Sequence, residues 1–214
     1  MFYNYNSFKE SLIITLIDSG SFKLGTFTLK SGKTSKFFIE ICHLNKDEYI
    51  SSLGYSLGLL AQKYFEDCKN VFFYGPPYKG IPLAVATTMA MHLVSKHSTN
   101  LKKTKFHYLF SRKEEKKHGD LGMYVGKTPT HDDAIIIIDD VLTDSSTKTQ
   151  AIIEIEKNFG KKPEAIITVA NRSEPKIVQV RPGNIPVESI IDLEDIKNFL
   201  IKHGDFKTLD FLNS

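Results

Sequence analysis

Residues 134–138 read Ala-Ile-Ile-Ile-Ile and run straight into Asp139-Asp140. An unbroken apolar run leaves no polar face, so this segment is expected to form a strand covered on both sides, as in a parallel sheet. Covering both faces takes helices, and the chain supplies them in alternation. Val71–Tyr74 is an apolar run that stops at Gly75-Pro76-Pro77, and a helical pattern follows from Gly80 to about Lys96. Phe106–Phe110 is a second strand, leading into a polar segment from Ser111 to Lys127. Ser146 to Phe159 reads as a helix with Ala151, Ile152 and Ile155 on one face, and Ala165–Ala170 and Val187–Ile191 complete the strands. This rhythm predicts an α/β sheet with helices on both faces. In open sheets of that kind, ligands bind beyond the carboxyl ends of the strands. Chemistry is therefore expected in the loops after Tyr74, Phe110, Ile138 and Ala170.

The first 45 residues break the rhythm. Ser7 to Asp18 has the spacing of an amphipathic helix (Phe8, Leu12, Leu16), and Phe22 to Ile41 is strand-like and rich in Lys. Together they read as a small N-terminal hood over residues 1–45, ahead of an α/β core over 46–191 and a helical tail over 192–214. At about 150 residues per domain, 214 residues make a single domain. A net charge of +3 is too small to make nucleic acid the expected partner. Two cysteines without metal-like spacing point to a reducing, cytoplasmic setting. No stretch approaches the roughly 18 apolar residues that span a bilayer.

The block Asp139-Asp140-Val141-Leu142-Thr143-Asp144-Ser145-Ser146-Thr147 carries the strongest chemical signal. A buried strand delivers two carboxylates, then a hydroxyl-rich turn opens a helix. Backbone N–H groups of such a turn, backed by a helix N-terminus, suit a phosphate. Carboxylates beside it suit the vicinal hydroxyls of a ribose and, through water, a magnesium ion. The plain alternative is that Asp140 or Thr143 only caps the helix. Competing phosphate motifs fail: there is no Gly-x-Gly-x-x-Gly, and Gly126-Lys127-Thr128 and Gly32-Lys33-Thr34 have Leu121 and Phe27 where a P-loop needs glycine. Arg112 to Gly122 is charged and glycine-bearing with almost no apolar anchor, which fits a solvated loop or a mobile lid able to close on a polyanion. Lys79 stands beside a helix start, as a phosphate ligand or in an ordinary turn, and Arg172, just past a strand, has the fork for a carboxylate but taken alone reads as a surface arginine. Gly54 and Gly58 share a helix face where close packing is expected.

Taken in order, Phe27–Gly32, Gly75-Pro-Pro-Tyr-Lys-Gly-Ile-Pro82, Arg112-Lys-Glu-Glu-Lys-Lys-His-Gly119, the Asp139-Asp140 block and Asn171-Arg172-Ser-Glu174 resemble the orotate phosphoribosyltransferases. The Asp-Asp block alone resembles all type I phosphoribosyltransferases. The resemblance implies that family's parallel sheet flanked by helices, with a hood. It also implies transfer of a phosphoribosyl group from phosphoribosyl pyrophosphate (PRPP) to orotate, with Mg2+. By the same resemblance, Asp139, Asp140, Val141, Leu142, Thr143, Asp144, Ser145, Ser146 and Thr147 would hold the ribose 5-phosphate, Asp139 and Asp140 taking the ribose hydroxyls and the metal through water. Lys30, Tyr78, Lys79, Arg112, Lys113, Lys116 and His118 would reach PRPP, chiefly its pyrophosphate. Phe38, Ile39, Thr143 and Arg172 would hold orotate. The expected catalytic contacts are Lys79, Lys116, His118 and Asp140, the last in a base role. A homodimer follows, with the 112–122 loop shared across the interface, and neither nucleic acid nor membrane is an expected partner.

The sequence departs from the family at three places. Asp144-Ser145 replaces a small Ala-Gly-type turn, Asn171 stands where Asp is common, and Lys36 replaces a usual proline. Two further readings share the fold: an enzyme using a purine or other base, and a PRPP-sensing regulator. An enzyme for another base would have no reason for Arg172 or the Lys30 block. A regulator would need a DNA-binding domain or a strongly basic face and should have lost the lid cations, which are present. Replacing Lys116 with Ala is expected to lower turnover strongly while PRPP binding stays measurable; unchanged turnover would remove the lid from the mechanism.

Overall fold

The computed structural model describes residues 5–28, 34–116, 122–173 and 176–213. Its elements in chain order begin with helix α1 (Tyr5–Asp18), strands β1 (Phe22–Thr28) and β2 (Thr34–Ile39), helix α2 (Asp47–Ala61), strand β3 (Asn70–Tyr74) and helix α3 (Gly80–His97). Strands β4 (Lys105–Lys116), β5 (Gly122–Val125) and β6 (Ala134–Leu142), helix α4 (Ser146–Phe159) and strand β7 (Ala165–Asn171) follow. The chain ends with strands β8 (Gln179–Val180) and β9 (Ile185–Asp192) and helices α5 (Leu193–Lys202) and α6 (Phe206–Asn213).

The sheet order is β5-β4-β3-β6-β7-β9-β8, with β4, β3, β6, β7 and β9 parallel and the two edges antiparallel. The Ile run sits at its centre, every Ile of 135–138 fully buried. Alternation along the strands splits the core into two layers. Ile136 and Ile138 join Val71, Phe73, Leu57, Leu83 and Met91 on the α2–α3 side. Ile135 and Ile137 join Phe72, Tyr74, Ile152 and Ile155 under α4. The strand order reverses between β3 and β6, because the chain leaves β3 for β4 and returns to β6 on the other side of β3. That reversal opens a crevice at the carboxyl ends of these two strands.

The β1–β2 hairpin, paired from Phe22↔Ile39 to Thr28↔Thr34, forms the hood. Its buried residues Phe37 and Ile39 continue the α2–α3 layer, as do Leu12, Ile13 and Leu16 of α1 and Ile196, Phe199 and Leu200 of α5. The tail is tied to α1 by Lys9–Asp195 at 2.8 Å and Lys202–Glu10 at 2.6 Å. Helix α5 starts on a capping box in which Asp195 N–H donates to the Asp192 carboxylate at 2.9 Å and Asp192 N–H to Asp195 at 3.0 Å. Close approach of α2 and α3 depends on glycine, as expected. A Cβ on Gly54 would lie 2.6 Å from the Ala86 carbonyl, and one on Gly58 would lie 2.4 Å from Met91 Sδ.

Two expectations need correction. The segment from Ser111 onward is not wholly a loop, because β4 runs to Lys116 and pairs antiparallel with β5 through Phe110↔Val125 and Ser111↔Tyr124. Side chains anchor this ribbon at its base: Tyr74 and Ser111 share a buried 3.0 Å hydrogen bond, and Tyr124 packs on Phe159 with ring centroids 4.7 Å apart. Strand β6 likewise continues past Ile138, since Asp139 pairs with Thr168 and Val141 with Ala170 of β7. The two aspartates therefore lie inside the strand, and the loop begins after Leu142.

Candidate active site

The crevice between the ends of β3 and β6 is walled by the loop 75–80 on one side and the loop 143–147 on the other. The first needs its glycines for close approach: a Cβ on Gly75 would lie 2.4 Å from Gly80 O, and one on Gly80 would lie 2.8 Å from Ile138 O. The loop is thus pressed against β6, and Lys79 leaves it at the mouth of α3. Lys79 Nζ reaches Glu40 Oε1 at 2.9 Å and Asp140 Oδ2 at 3.4 Å. Tyr78 beside it is 65% exposed. The Pro77–Tyr78 peptide bond is cis. A cavity of about 180 Å³ lies against this pair, lined by Ile41, Leu44, Ile50 and Pro82 as well as Lys79 and Asp140.

Glu40 carried no sequence signal, yet it reaches the site by strand alternation. On β2, Phe37 and Ile39 turn into the core, which turns Phe38 and, next in register, Glu40 the other way. Phe38 meets Arg172, whose guanidinium carbon lies 5.0 Å from the ring centroid, close enough for a cation–π contact. Arg172 Nη1 donates to the Phe37 carbonyl at 2.9 Å, and its backbone N–H donates to Leu142 O at 2.9 Å. Its Nε is buried with no hydrogen-bond partner among the described residues. Burial lowers the Arg172 pKa while the nearby Asp140 charge raises it, and a guanidinium remains charged throughout. An oriented, partly desolvated guanidinium suits a planar anion.

Asp139 and Asp140 do not sit side by side. Successive side chains on a strand point to opposite faces, so Asp140 faces Lys79 and Arg172 while Asp139 turns under α4. There Asp139 accepts a short hydrogen bond from Lys148 Nζ and another from the Asp140 N–H at 2.8 Å. Burial pushes the Asp139 carboxyl pKa up, with the Lys148 ammonium pulling it down. The one sequence signal for Lys148 is its place on the apolar stripe of Ala151, Ile152 and Ile155, where a lysine is out of pattern.

Of the remaining residues in the segment expected to hold a phosphate, Leu142 is fully buried and Val141 packs on the core, so both can meet a ligand only through their backbones. Thr143 and Ser145 are partly buried; Ser146 and Thr147 are exposed at the start of α4. The first-turn N–H groups of a helix have no partner within the helix. Here Asp144 already occupies part of that cradle: its carboxylate accepts the Ser146 N–H at 2.8 Å and a short bond from the Ser146 hydroxyl. The other two departures also have structural roles. Asn171 donates to Ile177 O at 2.8 Å and accepts from the Ser173 hydroxyl at 2.6 Å, closing the turn that carries Arg172. A carboxylate could not make the first of these bonds. Lys36 Nζ lies 5.2 Å from the Phe211 ring centroid on the tail.

Ile39 is a core side chain, 3% exposed. Arg112 follows Ser111 on β4 and therefore points to the opposite face from the Tyr74–Ser111 bond. Lys30 and His118, and the side chains of Lys113 and Lys116, lie outside the described residues.

No protein-family model matches the chain. Individual proteins do. The chain is 34% identical over 203 residues to an orotate phosphoribosyltransferase of Pseudomonas fluorescens, spanning 91% of this chain and 89% of that one. It is 34% identical over 211 residues to that of Acinetobacter baumannii, spanning 94% and 90%. Among solved structures, the orotate phosphoribosyltransferase of Francisella tularensis superposes with a TM-score of 0.70 at 25% identity, covering 95% of this chain and 96% of that one. The Aeropyrum pernix protein of the same name shares the fold, with a TM-score of 0.59 at 22% identity over 90% and 98%.

Because Asp144 holds a donor that a phosphate would use and adds a like charge, removing it has two opposed effects. Asp144→Ala is expected to bind inorganic phosphate about fivefold more tightly and to lose roughly 1 kcal/mol of stability with the lost helix-start bond. Calorimetric titration and thermal melting check both; unchanged phosphate affinity would mean that the carboxylate does not compete.

Proposed function

The chain belongs to the orotate phosphoribosyltransferase family, and from that premise we infer that it transfers the 5-phosphoribosyl group of PRPP to orotate, giving orotidine 5'-phosphate and pyrophosphate in pyrimidine biosynthesis. It is a pentosyltransferase. The observation that carries the substrate assignment is Arg172: a half-buried guanidinium near Asp140, fixed by the Phe37 carbonyl and the Phe38 ring. A guanidinium held in one orientation offers a planar fork of donors that matches a carboxylate. Orotate carries such a carboxylate, and a purine has none.

The reaction breaks the bond from ribose C1 to pyrophosphate and forms one from C1 to the orotate ring nitrogen. Orotate is anionic once that nitrogen has lost its proton, so no serine or cysteine nucleophile is required. The transition state resembles a ribosyl oxocarbenium ion, and the difficulty lies in charge gathering on the departing pyrophosphate. In this reading the N–H groups and hydroxyls of 143–147 bind the 5-phosphate, and Asp140 accepts from the ribose hydroxyls. Lys79 exchanges its bonds to Glu40 and Asp140 for the pyrophosphate, joined by Tyr78, Arg112, Lys30, Lys113, Lys116 and His118. Phe38, Thr143 and the backbone of Ile39 line the orotate side. Asp140 is also the proposed base.

Among the described residues no three His, Cys, Asp or Glu side chains gather to hold a metal by themselves. Asp140 and Glu40 are nevertheless hard oxygen donors beside the leaving-group site, which fits a magnesium ion that keeps waters and phosphate oxygens as its other ligands. Bound there, Mg2+ would offset the charge of the pyrophosphate oxygens. Cytoplasmic residence goes with this reading, since PRPP is a polyanion that does not cross membranes unaided. One phosphoribosyltransferase domain over residues 1–214, with its hood, core and tail, is likewise part of the proposal.

The proposed assembly is a homodimer in which the 112–122 segment serves the neighbouring subunit. An open apolar groove of about 620 Å³ between α2 and α3, lined by Ile50 and Tyr55 and by the exposed Met89 and Leu93, supports a second copy as its occupant. Met89→Glu with Leu93→Glu is expected to convert the dimer mass in light scattering to a monomer and to reduce turnover. A monomeric wild type would sink the shared segment.

Loss of orotate absorbance on mixing the protein with PRPP and Mg2+ tests the reaction itself. Arg172→Lys is expected to raise KM for orotate about 10- to 100-fold, the worth of a charged bidentate contact, with KM for PRPP little changed. Equal loss on both substrates would remove Arg172 from orotate recognition.

A further inference from the structure

Lys148 is 3% exposed and Asp139 8%, in the layer formed by Ile137, Leu142, Ile152 and Ile155. A lysine in such a layer takes its ammonium out of water, which a fold tolerates only with a charged partner. That partner is nine residues back on β6, and Asp139 is in turn held by the Asp140 N–H at 2.8 Å. One end of the pair is thus inside β6, four residues before Thr143, and the other is in the first turn of α4. The pair closes the loop at its base. Two more bonds fix the same corner: Thr149 N–H donates to Ser145 O at 2.7 Å, and the Thr149 hydroxyl to Arg181 O at 2.9 Å. The loop itself, Thr143-Asp144-Ser145-Ser146-Thr147, has no glycine and no apolar anchor, so its shape depends on the Asp144–Ser146 bonds within it and on what holds its two ends.

We propose that Lys148 is a positioning residue for the phosphate loop: by holding Asp139 beneath the loop it fixes the N–H groups of residues 143–147 for a ribose 5-phosphate and leaves Asp140 as the strand-end carboxylate that meets the ribose. Lys148 touches neither substrate nor reacting atoms in this role. Its effect falls mainly on the phosphoribosyl side, because the orotate side hangs chiefly on the separate Arg172–Phe37 bond, with Thr143 its one contribution from the loop.

The inference rests on the phosphoribosyl-transfer reading, so its test uses ribose 5-phosphate as a binding probe alongside turnover. Lys148→Met alone leaves Asp139 charged and buried, and loss of folding is its expected defect. The informative variant is Asp139→Asn with Lys148→Met, which removes both charges at nearly constant volume. It is expected to melt within a few degrees of the wild type, to bind ribose 5-phosphate about tenfold more weakly, and to raise KM for PRPP by a similar factor while KM for orotate stays within about twofold. Ribose 5-phosphate binding within about twofold of the wild type would overturn the proposal, as would an equal rise in both KM values. A wild type that binds ribose 5-phosphate without consuming orotate would instead sink the proposed reaction and leave the positioning role to be decided by the binding comparison.

Discussion

The site depends on one strand being buried on both faces. Because β6 has helices on either side, its alternating side chains are committed to two separate compartments, and this commitment persists when the sequence changes from Ile to Asp. Asp140 enters the compartment shared with Lys79, Glu40 and Arg172; Asp139 enters the one beneath α4. A pair of neighbouring aspartates in the sequence thereby becomes two carboxylates with different tasks. One is partly exposed and surrounded by cations at the crevice. The other is sealed against a lysine and ties strand to helix.

The crevice is assembled by close approach more than by long-range charge. Gly75 and Gly80 let the loop after β3 press on β6, and the β1–β2 hairpin is pinned over the crevice by the Arg172–Phe37 bond. That bond uses a backbone carbonyl, so the hood and the arginine orient each other without spending a second charged side chain. Lys79, shared between Glu40 and Asp140, offsets the charge of two carboxylates at the crevice, which in the proposed reaction keeps them from repelling a polyanion. The same cation is then available when a more highly charged ligand competes for it.

Asp144 marks where this chain differs from a simple phosphate cradle. Its carboxylate folds onto Ser146, supplying locally the anion that a helix N-terminus attracts. The ion pair beneath the loop and the carboxylate on top of it are two devices for holding a glycine-free turn in one shape.

Much of the architecture was legible in the sequence. The Ile run predicted a doubly covered strand, the helix from Ser146 to Phe159 has the expected bounds, and the strand-to-helix loop after Tyr74 falls where expected, whereas the loop before α4 begins after Leu142 rather than after Ile138. Motif resemblance identified the family. Local pattern determines these things because side-chain period and glycine spacing are properties of neighbouring residues. What sequence could not decide is which distant groups meet. Glu40 joins Lys79 from 39 residues away, Phe37 offers its carbonyl to Arg172 across 135 residues, and the polar segment after Phe110 becomes a ribbon because Tyr124 finds Tyr74 and Phe159. The division between Asp139 and Asp140 lies between these cases. Strand alternation implied it, but only the sheet's pairing beyond Ile138 extended the strand far enough to apply it, and only the packing of α4 brought Lys148 to receive the buried charge.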